Sequence, residues 1–330
     1  MNIHSYVRKR LHMVEREIDR WIPKNMKPDT LARAARHLIE AGGKRLRPCL
    51  VLAACEAVGG KPGDALESAA AIEMLHNFTL IHDDIMDRDE LRRNVKTVHT
   101  IWGEPMAIIA GDALFARVFE AAAENARRLG LDGARTVELL SAFSRASFEV
   151  CRGQAMDMLF EGRKDVVEKE YMEMVSKKTG ALTEASARVG AILGGGSRNQ
   201  VDSLSSYGRQ IGIAFQIQDD VLGIIGKEEK FGKPIGSDIQ EGKMTLLVIR
   251  ALSVSDEKKE ILRVLGNKNA SREEILRTMR LIRDSGAVDY AFDTAKKIVA
   301  SAKKELDTLP DTEAREFLLH LADFVIRRDF

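Results

Sequence analysis

Along most of this chain apolar residues recur every three or four positions, with charged residues on the opposite face. That spacing is the signature of an amphipathic helix, and the period-two alternation of a half-buried strand is almost absent. The pattern predicts helices over residues 3–21, 28–41, 48–58, 64–88, 105–129, 133–160, 168–193, 199–225, 243–253, 256–266, 271–284, 286–306 and 310–328. Ala, Leu, Glu, Arg and Lys, all strong helix formers, fill these windows. Most of the prolines (Pro23, Pro28, Pro48, Pro62, Pro105, Pro234 and Pro310) stand just before or at the start of a helical run. A missing N–H is tolerated there.

No long Ser, Gly or Pro-rich linker divides the series, so residues 1–330 read as one all-α domain. Gly194-Gly195-Gly196 reads as a tight helix connection. The stretch Gly226 to Gly242 differs, with four glycines, the run Lys227-Glu228-Glu229-Lys230 and little periodicity. A loop of that length in a compact domain is either a functional lid or a tolerated surface insertion.

Charge narrows the function. Lys and Arg number 51 against 50 Asp and Glu, which argues against a nucleic-acid binder. Cys49, Cys55 and Cys151 show no metal-ligand spacing and read as reduced thiols. The N-terminal segment lacks an apolar secretory core, no apolar run reaches membrane-spanning length, and Arg327-Arg328-Asp329-Phe330 is no prenylation box. The expectation is a soluble cytoplasmic protein.

Two acidic clusters carry the candidate chemistry. Asp83-Asp84-Ile85-Met86-Asp87 closes an apolar helical run. Asp83 and Asp87 stand i and i+4 and share a face, with Asp84 nearby. Like charges so placed destabilise a bare helix and call for a counter-ion. Hard oxygen ligands suit Mg²⁺, which takes one or two carboxylates plus substrate phosphates. Alone, such a cluster is as readily a solvated acidic face. The second cluster, Asp219-Asp220 in Phe215-Gln216-Ile217-Gln218-Asp219-Asp220, again sits late in an apolar helix. Two such helices facing across a bundle would hold metal ions with a polyanion between them.

A polyanion needs fixed cations. Gly42-Gly43-Lys44-Arg45-Leu46-Arg47-Pro48 lies at a helix junction where glycines let backbone approach an anion. Arg92-Arg93 follows the first acidic cluster, Lys177-Lys178-Thr179-Gly180 opens another helical stretch, and Lys233 and Lys243 bracket the glycine-rich loop. Each alone is more often a solvated charge; their conjunction with two aspartate clusters is not. His76, seven residues before Asp83 and on the same face, is either a core histidine or part of this site.

On these motifs, which occur in family order from about Gly43 to Lys243, the chain resembles the trans-prenyl diphosphate synthases, most closely the geranylgeranyl diphosphate synthases of the archaeal type. The resemblance implies a large single-domain helical bundle of isoprenoid synthase type around a central apolar cavity, a homodimer, and two or three Mg²⁺ ions per site. It implies that Lys44, Arg47, His76 and Arg93 hold isopentenyl diphosphate. Arg92, Lys178, Thr179, Gln216, Lys233 and Lys243 would hold the allylic diphosphate. Asp83, Asp87 and Asp219 would be direct metal ligands, with Asp84 and Asp220 in support. The catalytic set would be Asp83, Asp84, Asp87, Asp219, Lys178 and Lys233.

Three positions depart from the family pattern. Gly223 stands where a third carboxylate of the second cluster is usual, Asn94 replaces the glycine after the paired arginines, and Lys96 replaces a common proline. The implied reaction is ionisation, condensation and elimination on C5 to C15 allylic primers. Phe78, five residues before Asp83 and next to the small Thr79, resembles the chain-length floor of C20 synthases; the alternative is an ordinary core phenylalanine. A farnesyl or mixed C15/C20 synthase, a terpene cyclase and a non-catalytic partner subunit are the rival readings.

Overall fold

The computed structural model describes residues 3–225 and 236–327. Its helices are, in chain order, α1 (Ile3–Trp21), α2 (Asp29–Glu40), α3 (Leu46–Ala57), α4 (Leu66–Met86), α5 (Val98–Trp102), α6 (Glu104–Leu129), α7 (Gly133–Phe160), α8 (Glu168–Val175), α9 (Ala181–Leu193), α10 (Arg198–Ile225), α11 (Ser237–Glu241), α12 (Leu246–Val254), α13 (Lys258–Val264), α14 (Arg272–Asp284), α15 (Ala287–Glu305) and α16 (Glu313–Ile326). The protein is all-α, as the periodicity predicts. None of the described helices is long and apolar enough to cross a membrane.

Every long helix expected from the sequence is present, and three short features are new. A minimal antiparallel hairpin, β1 (Leu91–Arg92) with β2 (Val95–Lys96), follows α4. α5 and α11 have five residues each, too few to display a helical period. The run expected as one helix over 168–193 is interrupted by a π turn at Ser176–Gly180. Such bulges are single widened turns, and a hydrophobic pattern read at 3.6 residues per turn does not register them.

The described chain forms two compact units, each assembled from separated segments. The first comprises Met1–Ser147, Leu182–Gly208 and Glu305–Leu321. Its centre is α4, which packs chiefly against α6 and is buried along most of its length. Tyr6 of α1 stacks on Phe317 of α16 with ring centroids 4.0 Å apart, and the Tyr207 hydroxyl donates to the Leu318 carbonyl at 2.6 Å. The second unit comprises Phe148–Ala181, Arg209–Lys304 and Ala322–Phe330. There the Tyr290 hydroxyl of α15 donates to Glu168 of α8 at 2.8 Å, and Ser271 with Glu274 forms a reciprocal capping box that starts α14.

In the first unit α3 and α9 meet backbone to backbone. A Cβ on Gly190 would lie 2.1 Å from the Val51 carbonyl oxygen, and one on Gly194 would lie 2.4 Å from that of Cys55. These glycines stand four apart on one face of the chain leaving α9, so the seam admits no side chain. Gly190→Ala is therefore expected to destabilise the protein by about 1–3 kcal/mol, the usual cost of overpacking a close contact. Urea unfolding of the variant beside the wild type checks it; equal midpoints would show that the seam can open freely.

Candidate active site

In the first unit the site is built on α4. The turn before α3 bends through Gly42 and Gly43, at φ 95° and 144°, and Arg45 caps α3 with a left-handed backbone, φ 47°. A side chain on Gly43 would strike Arg93, whose guanidinium carbon lies 3.2 Å from where a Cβ would stand. Arg45 does not face solvent. Its Nη1 donates to Glu73 Oε1 at 2.6 Å, and Asn77 Nδ2 donates to the same oxygen at 3.1 Å. Arg45 thus fastens the basic turn to α4, whereas the resemblance gives the anion to Lys44 and Arg47. Lys44 is exposed and Arg47 half-buried.

Arg47 Nη1 donates to His76 Nε2 at 3.3 Å, which requires that nitrogen to be unprotonated. Burial first, then the positive charges of Arg47, Arg93, Arg92 and Arg45, hold His76 well below its ordinary pKa. Arg93 Nη1 donates to the carbonyls of Leu38, at 2.6 Å, and Gly42. The expected isopentenyl anchors Arg47, His76 and Arg93 thus stand in one strongly positive neighbourhood. A neutral imidazole amid guanidinium groups is an electrostatic setting suited to an anion.

Arg93 and Asn94 both adopt left-handed backbone, φ 54° and 61°, and form the two-residue turn between β1 and β2. Such turns favour Gly and Asn, so Asn94 serves where glycine is usual. Lys96 is compatible with its strand, and its carbonyl accepts from His37 Nε2 at 2.7 Å.

Adjacent residues on a helix point about 100° apart, and the first acidic motif divides accordingly. Asp83 and Asp87 are half-buried; Asp84 is fully buried. Asp84 Oδ1 accepts from Arg92 Nε, while its Oδ2 has no hydrogen-bond partner among the described residues. Burial pushes the Asp84 pKa up to about 6 despite the opposing charge of Arg92. Arg92 also reaches Asp89 Oδ2 at 3.4 Å, so this arginine, expected at the allylic diphosphate, is engaged by carboxylates here. Phe78 is half-buried, its ring 4.9 Å from that of Phe115 on α6 and 4.6 Å from that of His82.

The second unit has its own constellation. The π turn carries Lys177, Lys178 and Thr179, and α7 closes on it through Gly153: a Cβ there would stand 2.2 Å from the Lys178 backbone nitrogen. Lys178 Nζ binds Asp157 Oδ2 at 2.6 Å and Lys177 Nζ binds Glu149 Oε2 at 2.8 Å. Sequence reasoning missed Gly153, Gln154 and Asp157. The signal was available, because Gly153 and Asp157 stand i and i+4 on a long helix with an amide between them. Among the described residues, both amide atoms of the buried Gln154 lack a hydrogen-bond partner.

On α10, Gln216 Oε1 accepts from the Thr179 hydroxyl at 2.9 Å, and Gln216 Nε2 donates to Asp220 Oδ1 at 2.9 Å. Asp220 Oδ2 accepts from the buried Tyr171 hydroxyl at 2.7 Å. Burial pushes Asp220 up to about 7, although both hydrogen bonds favour its ionised form. Asp219 is half-buried. A Cβ at Gly223 would stand 3.2 Å from Asp238 Oδ2 on α11, so the position of the absent third carboxylate lies against another one. Lys243 Nζ pairs with Glu241 at 2.9 Å. Lys233 and most of the glycine-rich loop lie outside the described residues.

Among the described residues no three His, Cys, Asp or Glu side chains converge closely enough to hold a metal by themselves. The chemistry of the donors still fits Mg²⁺. Each motif offers a half-buried carboxylate, the first also has an orphaned carboxylate oxygen, and Mg²⁺ completes its octahedron with water and phosphate oxygens.

A family model described as polyprenyl synthetase matches residues 28–282. The chain is 47% identical over 331 residues to a short chain isoprenyl diphosphate synthase of Methanothermobacter thermautotrophicus, covering 100% of this chain and 99% of the relative. It is 46% identical to a geranylgeranyl diphosphate synthase of Saccharolobus solfataricus, covering 99% and 98%. A geranylfarnesyl diphosphate synthase of Aeropyrum pernix is 44% identical, covering 91% and 95%. The crystal structure of geranylgeranyl pyrophosphate synthetase from Pyrococcus horikoshii superposes with a TM-score of 0.92 at 44% identity, covering 99% and 98%.

The depressed His76 pKa carries a sign for stability. Below the ordinary histidine value the unfolded chain binds a proton that the folded chain refuses, so stability is lost as pH falls from about 6.5. His76→Gln keeps an acceptor for Arg47 and removes the titration. The variant is expected to lose less stability than the wild type between pH 7 and pH 5 in urea unfolding; parallel losses would place the acid sensitivity elsewhere.

Proposed function

The chain belongs to the polyprenyl synthetase family, and from that premise we propose that it is a short-chain prenyl diphosphate synthase with geranylgeranyl diphosphate, C20, as its main product. One observation carries the reading most directly. A single helix, α4, bears the first aspartate motif and, two turns earlier, a neutral histidine held among four arginines. An enzyme that only ionises an allylic diphosphate, as a terpene cyclase does, has no use for that second anion site. The full-length relatives named as geranylgeranyl and short-chain synthases support the same reading.

Lys44, Arg47, His76 and Arg93 would hold isopentenyl diphosphate by charge-assisted hydrogen bonds. Arg92, Lys178, Thr179, Lys233 and Lys243 would hold the allylic diphosphate. Asp83, Asp87 and Asp219 would be the direct ligands of two or three Mg²⁺ ions. Bound there, Mg²⁺ supplies charge stabilisation to the departing diphosphate. The allylic C–O bond breaks, and its electron pair leaves with diphosphate. The isopentenyl double bond attacks the resulting cation, and the proton then lost goes to the released diphosphate, so no protein base is needed. Gln216 has given its NH₂ end to Asp220 and turned Oε1 toward Thr179. That electron-rich end suits a developing allylic cation better than an anion.

We read the 330 residues as one synthase domain, because each compact unit draws on separated stretches of chain. Exposed Ile101, Ile108 and Ile109 on α5 and α6 suit burial by a second copy and favour a homodimer. Free thiols at Cys49, Cys55 and Cys151 suit the cytoplasm.

Asp83→Ala and Asp219→Ala are each expected to lower turnover by about two or more orders of magnitude with helicity intact, at or beyond the upper end of the 10–100-fold typical for groups that only support a metal ligand. Near-normal turnover in either would remove that residue from the metal site. For product length, labelled isopentenyl diphosphate with C5, C10 and C15 primers is expected to give C20. Each further C5 unit buried would gain roughly 4 kcal/mol, so space limits growth. Phe78→Ala should lengthen the products; an unchanged distribution would put the floor elsewhere.

A further inference from the structure

Tyr171 belongs to no motif singled out in the sequence, and the reaction described above does not require it. It is nonetheless among the largest fully buried side chains, 1% exposed, and among the described residues its hydroxyl makes one side-chain hydrogen bond, to Asp220 Oδ2. Asp220 in turn has both oxygens committed inside the protein, one to Tyr171 and one to the Gln216 NH₂ group. Asp220 therefore faces inward as an anchor. Asp219, one residue earlier, is the half-exposed member of the pair.

A glutamine amide has two ends of nearly equal size, and only its partners decide which way it lies. At Gln216 a carboxylate that accepts stands at one end and a threonine hydroxyl that can donate or accept stands at the other. Thr179 is indifferent, so the choice falls to Asp220. Asp220 holds that choice most firmly while its own rotation is fixed, and Tyr171 fixes it from the far side.

We propose that Tyr171 is a positioning residue: through Asp220 its hydroxyl sets the Gln216 amide so that Oε1, not the NH₂ group, lies beside Thr179. This role rests on the prenyl-transfer reading above and deepens it. Tyr171 touches no reacting atom. Loss of its hydroxyl frees Asp220 to rotate and Gln216 to invert, which would set an N–H donor where the cation develops. The cost falls on the chemical step.

The test is a double-mutant cycle on the full-length enzyme with Mg²⁺, labelled isopentenyl diphosphate and a C15 allylic diphosphate. Tyr171→Phe keeps the ring and removes the hydroxyl; kcat is expected to fall about tenfold, the weight of one hydrogen bond to a charged group. The KM for isopentenyl diphosphate should stay within about twofold, because its anchors are not coupled to Tyr171. In a Gln216→Leu background, where no amide remains to orient, Tyr171→Phe should change kcat by less than about twofold. Asp220→Leu, which offers neither neighbour an acceptor, should lose at least as much kcat as Tyr171→Phe, and adding Tyr171→Phe to it should cost less than about a further twofold; this pair serves if the single variant folds poorly. Equal losses with and without the Gln216 amide would show that Tyr171 acts by packing and would overturn the role. A wild type that incorporates no isopentenyl diphosphate at all would overturn the functional reading, and this role with it.

Discussion

A carboxylate buried without a positive partner costs several kcal/mol, and α4 buries three. Each is met by an arginine from a different part of the first unit. Glu67 takes Arg128 of α6 at 2.6 Å, Glu73 takes Arg45 of the basic turn at 2.6 Å, and Asp84 takes Arg92 of the hairpin. These pairs add modest net stability, because desolvation consumes most of their attraction. Their effect is positional. A helix that must have each charge answered leaves α6, the turn before α3 and the hairpin after α4 little freedom of placement. His76, Arg47 and Arg93 owe their common neighbourhood to that arrangement.

The two aspartate pairs follow one logic. In each, the first residue is half-buried and the second faces inward, where burial raises its affinity for a proton. Asp84 is answered by a cation and Asp220 by two neutral donors. The first carboxylate of each pair is half-buried, while its neighbour braces the helix behind it. The doubled aspartate therefore divides a binding task from a structural one.

Much of this was legible in the sequence. The long helices announced themselves by period, and the i, i+4 spacing of Asp83 with Asp87 and the sequence of basic elements pointed to polyanion chemistry. Less legible were interactions between residues far apart in the chain. Arg45 and Arg47 read alike along the sequence, yet one is spent on Glu73 and the other reaches His76. Nothing local in Tyr171 reveals a carboxylate 49 residues away. The π turn escaped because one extra residue in a helical turn barely disturbs a hydrophobic pattern. Asn94 and Gly223, which looked like defects, are accounted for by a left-handed turn and by the proximity of Asp238.

The three answered carboxylates of α4 also bear on heat. The hydration that ion pairs forgo becomes less favourable as temperature rises, whereas apolar burial gains little further strength per unit area. Contacts of this kind therefore lose less on warming than the aliphatic packing around them. In this protein they hold the helix that bears the first aspartate motif.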